Sequence, residues 1–343
     1  MAVRSTSAAP TTPPAEQPVA PGEGRPARDA RLSDTVLPGP ETVTGIWPGR
    51  TVNVGGVDVH VRTTPTENKG AEPALLVHGL GGSAHNWTDF AGILRDQLAI
   101  EAIDLPGFGR SGPAHDRDYS LRSQARTVID YLEISGRGPV HLVGNSMGGA
   151  ISILVAAQRP DLIRTLTLIS PAVPDTKFRA HPLRSDPRMA LLIVPMVGAA
   201  ALRRMRGIDV ATRVRATIAL CFADPSRYPA TRLEEAAQEA TARLRLPWAE
   251  DAMLRATRGL VRTQFAQRRQ MWAALRAITA PTLVLWGDED RLVAPDLAPV
   301  VAAALRNSRL LVLEHVGHTA MMEDPLTSAR AVLALVEDAA KLS

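Results

Sequence analysis

The sequence predicts an α/β architecture: a mostly parallel, eight-stranded sheet flanked by helices, with a helical insertion after the sixth strand. Three observations predict it. Short apolar runs alternate with segments of helical apolar spacing from residue 45 onward. Most runs end in clusters of Gly, Asp, Ser or His, so polar groups collect at strand carboxyl ends, where open α/β sheets bind ligands. One interval, Pro174 to Ile278, breaks the rhythm with a helical pattern and no convincing strand, far too long for an ordinary connection.

The elements follow in order. Val52-Asn53-Val54 and Val57-Asp58-Val59-His60-Val61 alternate about Gly55-Gly56 and form an opening hairpin. The third strand, Ala74 to Val77, ends at His78-Gly79, and the fourth, Ile100 to Ile103, at Asp104-Leu105-Pro106-Gly107. The fifth, Val140 to Val143, runs into Gly144-Asn145-Ser146-Met147-Gly148, and the sixth, Leu166 to Ile169, into Ser170-Pro171. After the insertion, Thr282 to Trp286 ends at Gly287-Asp288, and Leu310 to Leu313 stops just before His315 and His318. Leu121 to Leu132, Ile151 to Gln158 and Ala298 to Leu305 carry helical spacing. The domain reading is a disordered tail over 1–44, a core in two parts over 45–173 and 279–343, and the insertion over 174–278.

Composition narrows the class. With 45% apolar and 22% charged residues and a mean hydropathy near zero, the chain is globular in composition. The tail is rich in Pro, Ala, Ser, Thr and Gly, and cannot bury enough surface to offset its ordering entropy. No run reaches the length of a membrane-spanning helix; the nearest, Met189 to Leu202, is short and interrupted by Pro195. A single cysteine, Cys221, allows no intrachain disulfide, and its apolar surroundings read as packing. With no secretory signal seen, the expected location is cytoplasmic.

Charge is unevenly spread. Residues 172–280 hold 19 Arg and Lys against 9 Asp and Glu, so the remainder of this +4 chain carries −6. Few aromatics interleave with those arginines and no nucleic-acid-binding signature appears, which excludes nucleic acid as the expected partner. A solvated helical surface is the favoured reading. Steering of an anionic substrate, or contact with an anionic membrane surface or protein partner, are the alternatives.

The chemistry concentrates at strand ends. Ser146 lies on a strand-to-helix turn with Gly144 and Gly148 beside it, the sequence form of a nucleophile elbow. A serine hydroxyl is a weak nucleophile near neutral pH and needs a base, which in turn needs an orienting acid. Downstream, in the order Ser, Asp, His, the chain offers Asp290 and His318. Asp288, Glu289 and the more distant Asp175 compete for the acid position. The Gly-rich His78-Gly79-Leu80-Gly81-Gly82-Ser83 loop lacks the spacing of a phosphate-binding loop and suits an oxyanion hole. Its donors are the backbone N–H groups of Leu80 and Met147. Asn145 is a candidate substrate contact. No metal site and no cofactor are expected.

These stretches together resemble the α/β-hydrolase family with an inserted helical cap, over residues 45 to 343. The shared marks are His78 to Gly82, Asp104 to Ser111, Gly144 to Gly149, Gly287 to Asp290 and Gly317-His318. The resemblance implies that the Asp104 segment is structural, with Arg110 as an ion-pair partner. Members that open epoxides or remove halides carry aspartate at the elbow; serine here implies an acyl-enzyme. Carbon–carbon bond hydrolases of dienoic ketoacids share the Gly-Asn-Ser-Met-Gly-Gly elbow, but carry Gly-Pro-Gly and Trp where this chain has Gly81-Gly82-Ser83 and Thr319. The expected activity is therefore hydrolysis of a carboxylic ester with a small or medium apolar acyl group. Carbon–carbon cleavage, thioester hydrolysis, acyl transfer, or a ligand-binding protein with little turnover are the alternatives. Met189 to Val197 could line an acyl pocket or form the cap's own core.

Overall fold

The computed structural model describes residues 28–175 and 207–341. Among them a nine-stranded sheet runs in the order β1-β9-β8-β7-β6-β4-β5-β3-β2. The strands are β1 (Arg28–Asp29), β2 (Gly49–Val54), β3 (Val57–Thr63), β4 (Glu72–Val77), β5 (Leu98–Ile103), β6 (Val140–Asn145), β7 (Ile163–Ile169), β8 (Thr282–Gly287) and β9 (Ser308–Leu313). Only β2–β3 and β3–β5 pair antiparallel. The two-residue hairpin turn pairs Val54 with Val57, and Gly55 and Gly56 supply its positive φ angles of 55° and 88°. All six residues of β6 and of β8 are buried, His141 and Asn145 among them, because these strands are covered on both faces.

Helices clothe both faces. One layer of the core lies under α2 (Leu121–Ser135) and α3 (Met147–Gln158), the other under α1 (Thr88–Leu94) and α10 (Pro325–Ala340). Ser120 caps α2 through the Ser123 N–H, and Gly136 ends it at φ 62°. The insertion after β7 contributes α4 (Val210–Cys221), α5 (Ala230–Leu244), α6 (Ala249–Phe265) and α7 (Arg268–Ala277), before α8 (Ala298–Ala304) and α9 (Ala320–Glu323). Met189 to Val197 fall outside the described residues.

Two expectations need correction. The sheet has a ninth strand, so the insertion follows β7 of nine rather than the sixth of eight. That strand belongs to residues 28–44, which composition assigned to the tail. They are packed: β1 pairs parallel with β9, Leu32 and Leu37 pack on the core layer under α1 and α10, and Val43 is buried. Arg31 pairs with Glu337 and Asp338 of α10 at 2.8 Å each, and the Ser33 hydroxyl donates to Glu337. A few well-placed apolar groups and partners three hundred residues away hold this segment, and composition averages over both. Residues 1–27 lie outside the described residues.

The site is set by topology. β4 and β6 are neighbours, and the chain leaves β4 for β5 on one side but leaves β6 for β7 on the other, so the connections diverge between them. A crevice opens at the carboxyl ends of such strands. The His78 loop leaves β4 there, and the Ser146 turn leaves β6.

Candidate active site

Ser146 stands between β6 and α3 with φ 54° and ψ −115°, a conformation L-residues adopt only under constraint. The glycines show the constraint. A Cβ on Gly148 would collide with the carbonyls of Val77 and His78, and one on Gly144 with Gly148 and Ser152. The turn can therefore close tightly against β4, which leaves the Ser146 side chain half-buried at the crevice. Gly79 presses on it: a Cβ there would lie 3.2 Å from the Ser146 Cβ.

Asp290 and His318 meet. The His318 Nδ1 and Asp290 Oδ2 are 2.8 Å apart, in residues only 4% and 3% exposed. The other Asp290 oxygen accepts the N–H groups of Leu292 at 2.8 Å and Val293 at 2.9 Å, which fixes the carboxylate plane. Burial acts to raise the Asp290 pKa, but His318 and these two N–H groups outweigh it and hold the carboxyl below its ordinary value. With His318 Nδ1 so occupied, no place remains there for Asp288, Glu289 or Asp175. Asp288 and Glu289 are exposed, and Glu289 faces His315 at 3.2 Å.

Asn145 is not placed to touch a substrate. It is 3% exposed, and its amide donates to the carbonyls of Ile169 and His318, each at 3.1 Å. It thus ties the serine turn to the histidine loop. Among the described residues the Ser146 hydroxyl makes no hydrogen bond to His318; Asn145 supplies the link between the two segments.

The glycine-rich loop is rigidly held. His78 Nε2 accepts the Leu105 N–H at 3.0 Å, so Nδ1 carries the proton and donates to the Gly79 carbonyl at 2.7 Å. Burial pushes the His78 pKa down and keeps the ring neutral in this role. The Gly79 carbonyl also accepts the Gly82 N–H at 3.1 Å, closing a turn around half-buried Leu80. Met147, at the first position of α3, has no carbonyl one turn earlier in its helix for its N–H.

Asp104 is structural, as expected, but through a different set of bonds. It accepts the N–H groups of Ala84 at 2.6 Å and Arg110 at 2.9 Å, and faces His60 Nδ1 at 3.0 Å. Arg110 contributes its backbone; its side chain is exposed, and among the described residues it forms no ion pair. This corrects the expectation of an Arg110 ion-pair partner.

Two insertion arginines, read as solvated surface, turn inward instead. Arg232 on α5 donates to Asp89, Glu235 and the carbonyls of Val43 and Gly45 at 2.7–3.1 Å. Arg243, on the last turn of α5, donates to the Gly81 carbonyl at 2.9 Å and lies 4.7 Å above the Phe108 ring. Burial pulls its pKa down to about 10. Nothing in the helical spacing distinguishes these two arginines from their exposed neighbours. Among the described residues no cluster of His, Cys, Asp and Glu could hold a metal ion, and no helix is long and apolar enough to cross a membrane.

Comparison with known proteins agrees with the fold. Residues 73–325 match the family model described as the alpha/beta hydrolase fold. The chain is 28% identical to monoacylglycerol lipase abhd6-A of Xenopus laevis over 266 residues, covering 75% of this chain and 72% of that one. It is 27% identical over 300 residues to the 2-hydroxy-6-oxo-6-(2'-aminophenyl)hexa-2,4-dienoic acid hydrolase of Metapseudomonas resinovorans, covering 86% and 92%. Among solved structures, a membrane phospholipase A described as a bacterial virulence factor superposes with a TM-score of 0.65 at 25% identity, covering 85% of this chain and 86% of that one. Sheet order, strand-end clusters and family match converge: the chain belongs to the α/β-hydrolase family.

Proposed function

We propose that the protein is a serine hydrolase that cleaves a carboxylic ester of a small or medium apolar acyl group through an acyl-enzyme on Ser146. The observation that carries this reading is the buried His318–Asp290 pair, joined by the Asn145 amide to the positive-φ Ser146 turn. With Nδ1 bound to Asp290, His318 Nε2 is the nitrogen that takes the Ser146 proton as the hydroxyl oxygen attacks the ester carbonyl. The contact between them tightens when substrate fills the crevice, as such bonds do on forming the Michaelis complex. Asp290 fixes the imidazole tautomer and stabilises the imidazolium. Negative charge on the former carbonyl oxygen goes to the N–H groups of Leu80 and Met147, where one donor is worth about 3–4 kcal/mol. The imidazolium then protonates the leaving alcohol. Water, deprotonated by His318, attacks the acyl carbon and frees Ser146.

The helical insertion serves as the cap. Arg243 on the Gly81 carbonyl and Met253, whose methyl lies 3.4 Å from where a Gly81 Cβ would be, bring α5 and α6 against the loop that lines the crevice. The names of two relatives, a monoacylglycerol lipase and a phospholipase A, denote acyl-ester cleavage, the chemistry assigned here. The dienoic acid hydrolase favours a second reading, carbon–carbon cleavage with the same three residues.

The test is labelling with a fluorophosphonate probe, followed by turnover of a graded panel of aryl esters, thioesters and dienoic ketoacids. Wild-type protein should be labelled and Ser146→Ala should not. No labelling of folded wild type, or equal labelling of the variant, removes the serine mechanism. Turnover of ketoacids without turnover of esters would establish the second reading instead.

A further inference from the structure

Outside the residues considered so far, one buried carboxylate has an unusual set of partners. Glu323 ends α9, five residues after His318, and its side chain is fully buried. Among the described residues its nearest cation is Arg227, 3.9 Å away. It accepts three backbone N–H groups: Gly317 at 2.7 Å, Asp224 at 2.8 Å and Ala223 at 3.1 Å. Gly317 directly precedes His318, while Ala223 and Asp224 follow the end of α4 in the insertion.

The same two segments are joined a second time. The His318 N–H donates to the Cys221 carbonyl at 2.6 Å, in the last turn of α4. They also touch without a gap. A Cβ on Gly317 would collide with the Cys221 carbonyl and lie 2.7 Å from the Ala223 nitrogen. Arg227 closes the edge by donating to the His315 carbonyl at 3.0 Å. The backbone leading into His318 is therefore fastened to the insertion, and one carboxylate holds three of the bonds. Ala223 and Asp224 lie beyond α4, and Gly317 lies in a loop, so no helical carbonyl serves these N–H groups; without Glu323 the buried Gly317 N–H and the N–H groups of Ala223 and Asp224, in part-buried bonds, would lose their acceptor.

We propose that Glu323 is a positioning residue for His318, holding the imidazole-bearing loop against the end of α4 so that the insertion helps set the geometry of the base. This rests on the serine-hydrolase reading. Glu323 touches no reacting atom. Its effect is exerted through the Gly317 peptide on the placement of His318 relative to Asp290 and Ser146. Positioning of this kind governs proton transfer in the transition state more than the binding of an apolar acyl group, so its loss should appear in kcat and not in KM.

Glu323→Gln keeps the size of the side chain but turns an NH2 group toward backbone donors. We expect a folded variant whose kcat on an aryl ester falls 10- to 100-fold with KM within twofold, and whose fluorophosphonate labelling slows by a similar factor. The low-field proton resonance of the His318–Asp290 bond should shift or broaden. Glu323→Asp, which keeps the charge but is one methylene shorter, should fall between the two. Labelling of folded Glu323→Gln at the wild-type rate overturns the proposal while leaving the serine reading intact. Failure of wild type itself to label overturns both. A measurement on unmodified protein stands apart from the variant's folding: hydrogen exchange at the Gly317 and Asp224 amides should be slowed at least 10³-fold, and exchange at the rate of open chain overturns the proposal.

Discussion

At Ser146 the backbone accepts a conformation that costs on the order of 1–3 kcal/mol for a residue with a Cβ. It is held there because Gly144 and Gly148 let α3 close on β4, and because the Ser146 N–H and carbonyl are bonded to Ile169 and to Ala150 and Ala172. Asp290 is fixed just as firmly, with one oxygen on two backbone N–H groups and the other on His318. That division makes Asp290→Asn a clean test of the proposed mechanism. The new carbonyl can keep the bonds to Leu292 and Val293, which turns the NH2 toward His318 Nδ1 and forces the wrong tautomer. Ester turnover should fall 10³- to 10⁴-fold while the far-ultraviolet circular dichroism is unchanged. Turnover within tenfold of wild type would pass the acid role to another carboxylate. Ser146, Asp290 and His318 were legible because each sits in a short polar cluster after an apolar run. Glu323 was not: two of its three donors, Ala223 and Asp224, lie a hundred residues earlier in the chain.

The strands were the most legible elements and the insertion the least. A buried parallel strand is predominantly apolar, so the apolar runs within β4, β6, β7 and β8 announce themselves, and the two glycines of the β2–β3 turn set its register. Helix α5 shows the opposite case. Its pattern is that of an amphipathic surface helix, yet Arg232 is the polar bolt that fastens it to the core. The Arg232 guanidinium is 7% exposed and lies 2.7 Å from both Asp89 and Glu235. Replacing it by Met strands those two carboxylates in low dielectric, with the Val43 and Gly45 carbonyls also losing a donor. Arg232→Met should cost about 3–5 kcal/mol in urea unfolding. Adding Asp89→Asn and Glu235→Gln should return part of that loss, because the uncompensated charge is then gone. A cost under about 1 kcal/mol for the single variant would show Arg232 to be solvated surface after all.

Across the whole molecule, three buried histidines make stability depend on pH. Burial lowers the pKa of His78, His85 and His141, against partial opposition at His85 from Glu239 and Glu235, and at His141 from Glu72. In the unfolded chain each returns to an ordinary value of about 6.5. Below that pH the unfolded state binds more protons than the folded state, so stability is complete above it and is lost as pH falls. Each group adds at most ~1.4 kcal/mol per pH unit to the slope. The urea midpoint should therefore be lower at pH 5.5 than at pH 7.5, and a flat or rising midpoint would show that these rings are not held neutral. At this scale the division between chain and fold is clear. Apolar runs, their lengths and the polar clusters that end them determined the α/β class, the strand order along the chain, and the Ser, Asp and His candidates, because these depend on neighbours within a few residues. Tertiary structure alone decided that residues 28–44 are packed, that Asn145 faces two carbonyls instead of the crevice, and that Arg232, Arg243 and Glu323 join the insertion to the core. The partners that join those residues to the rest of the molecule come from segments 24 to more than 300 residues distant, beside a few local ones such as Glu235 and Gly317, and no local pattern of side chains records what will be folded against them.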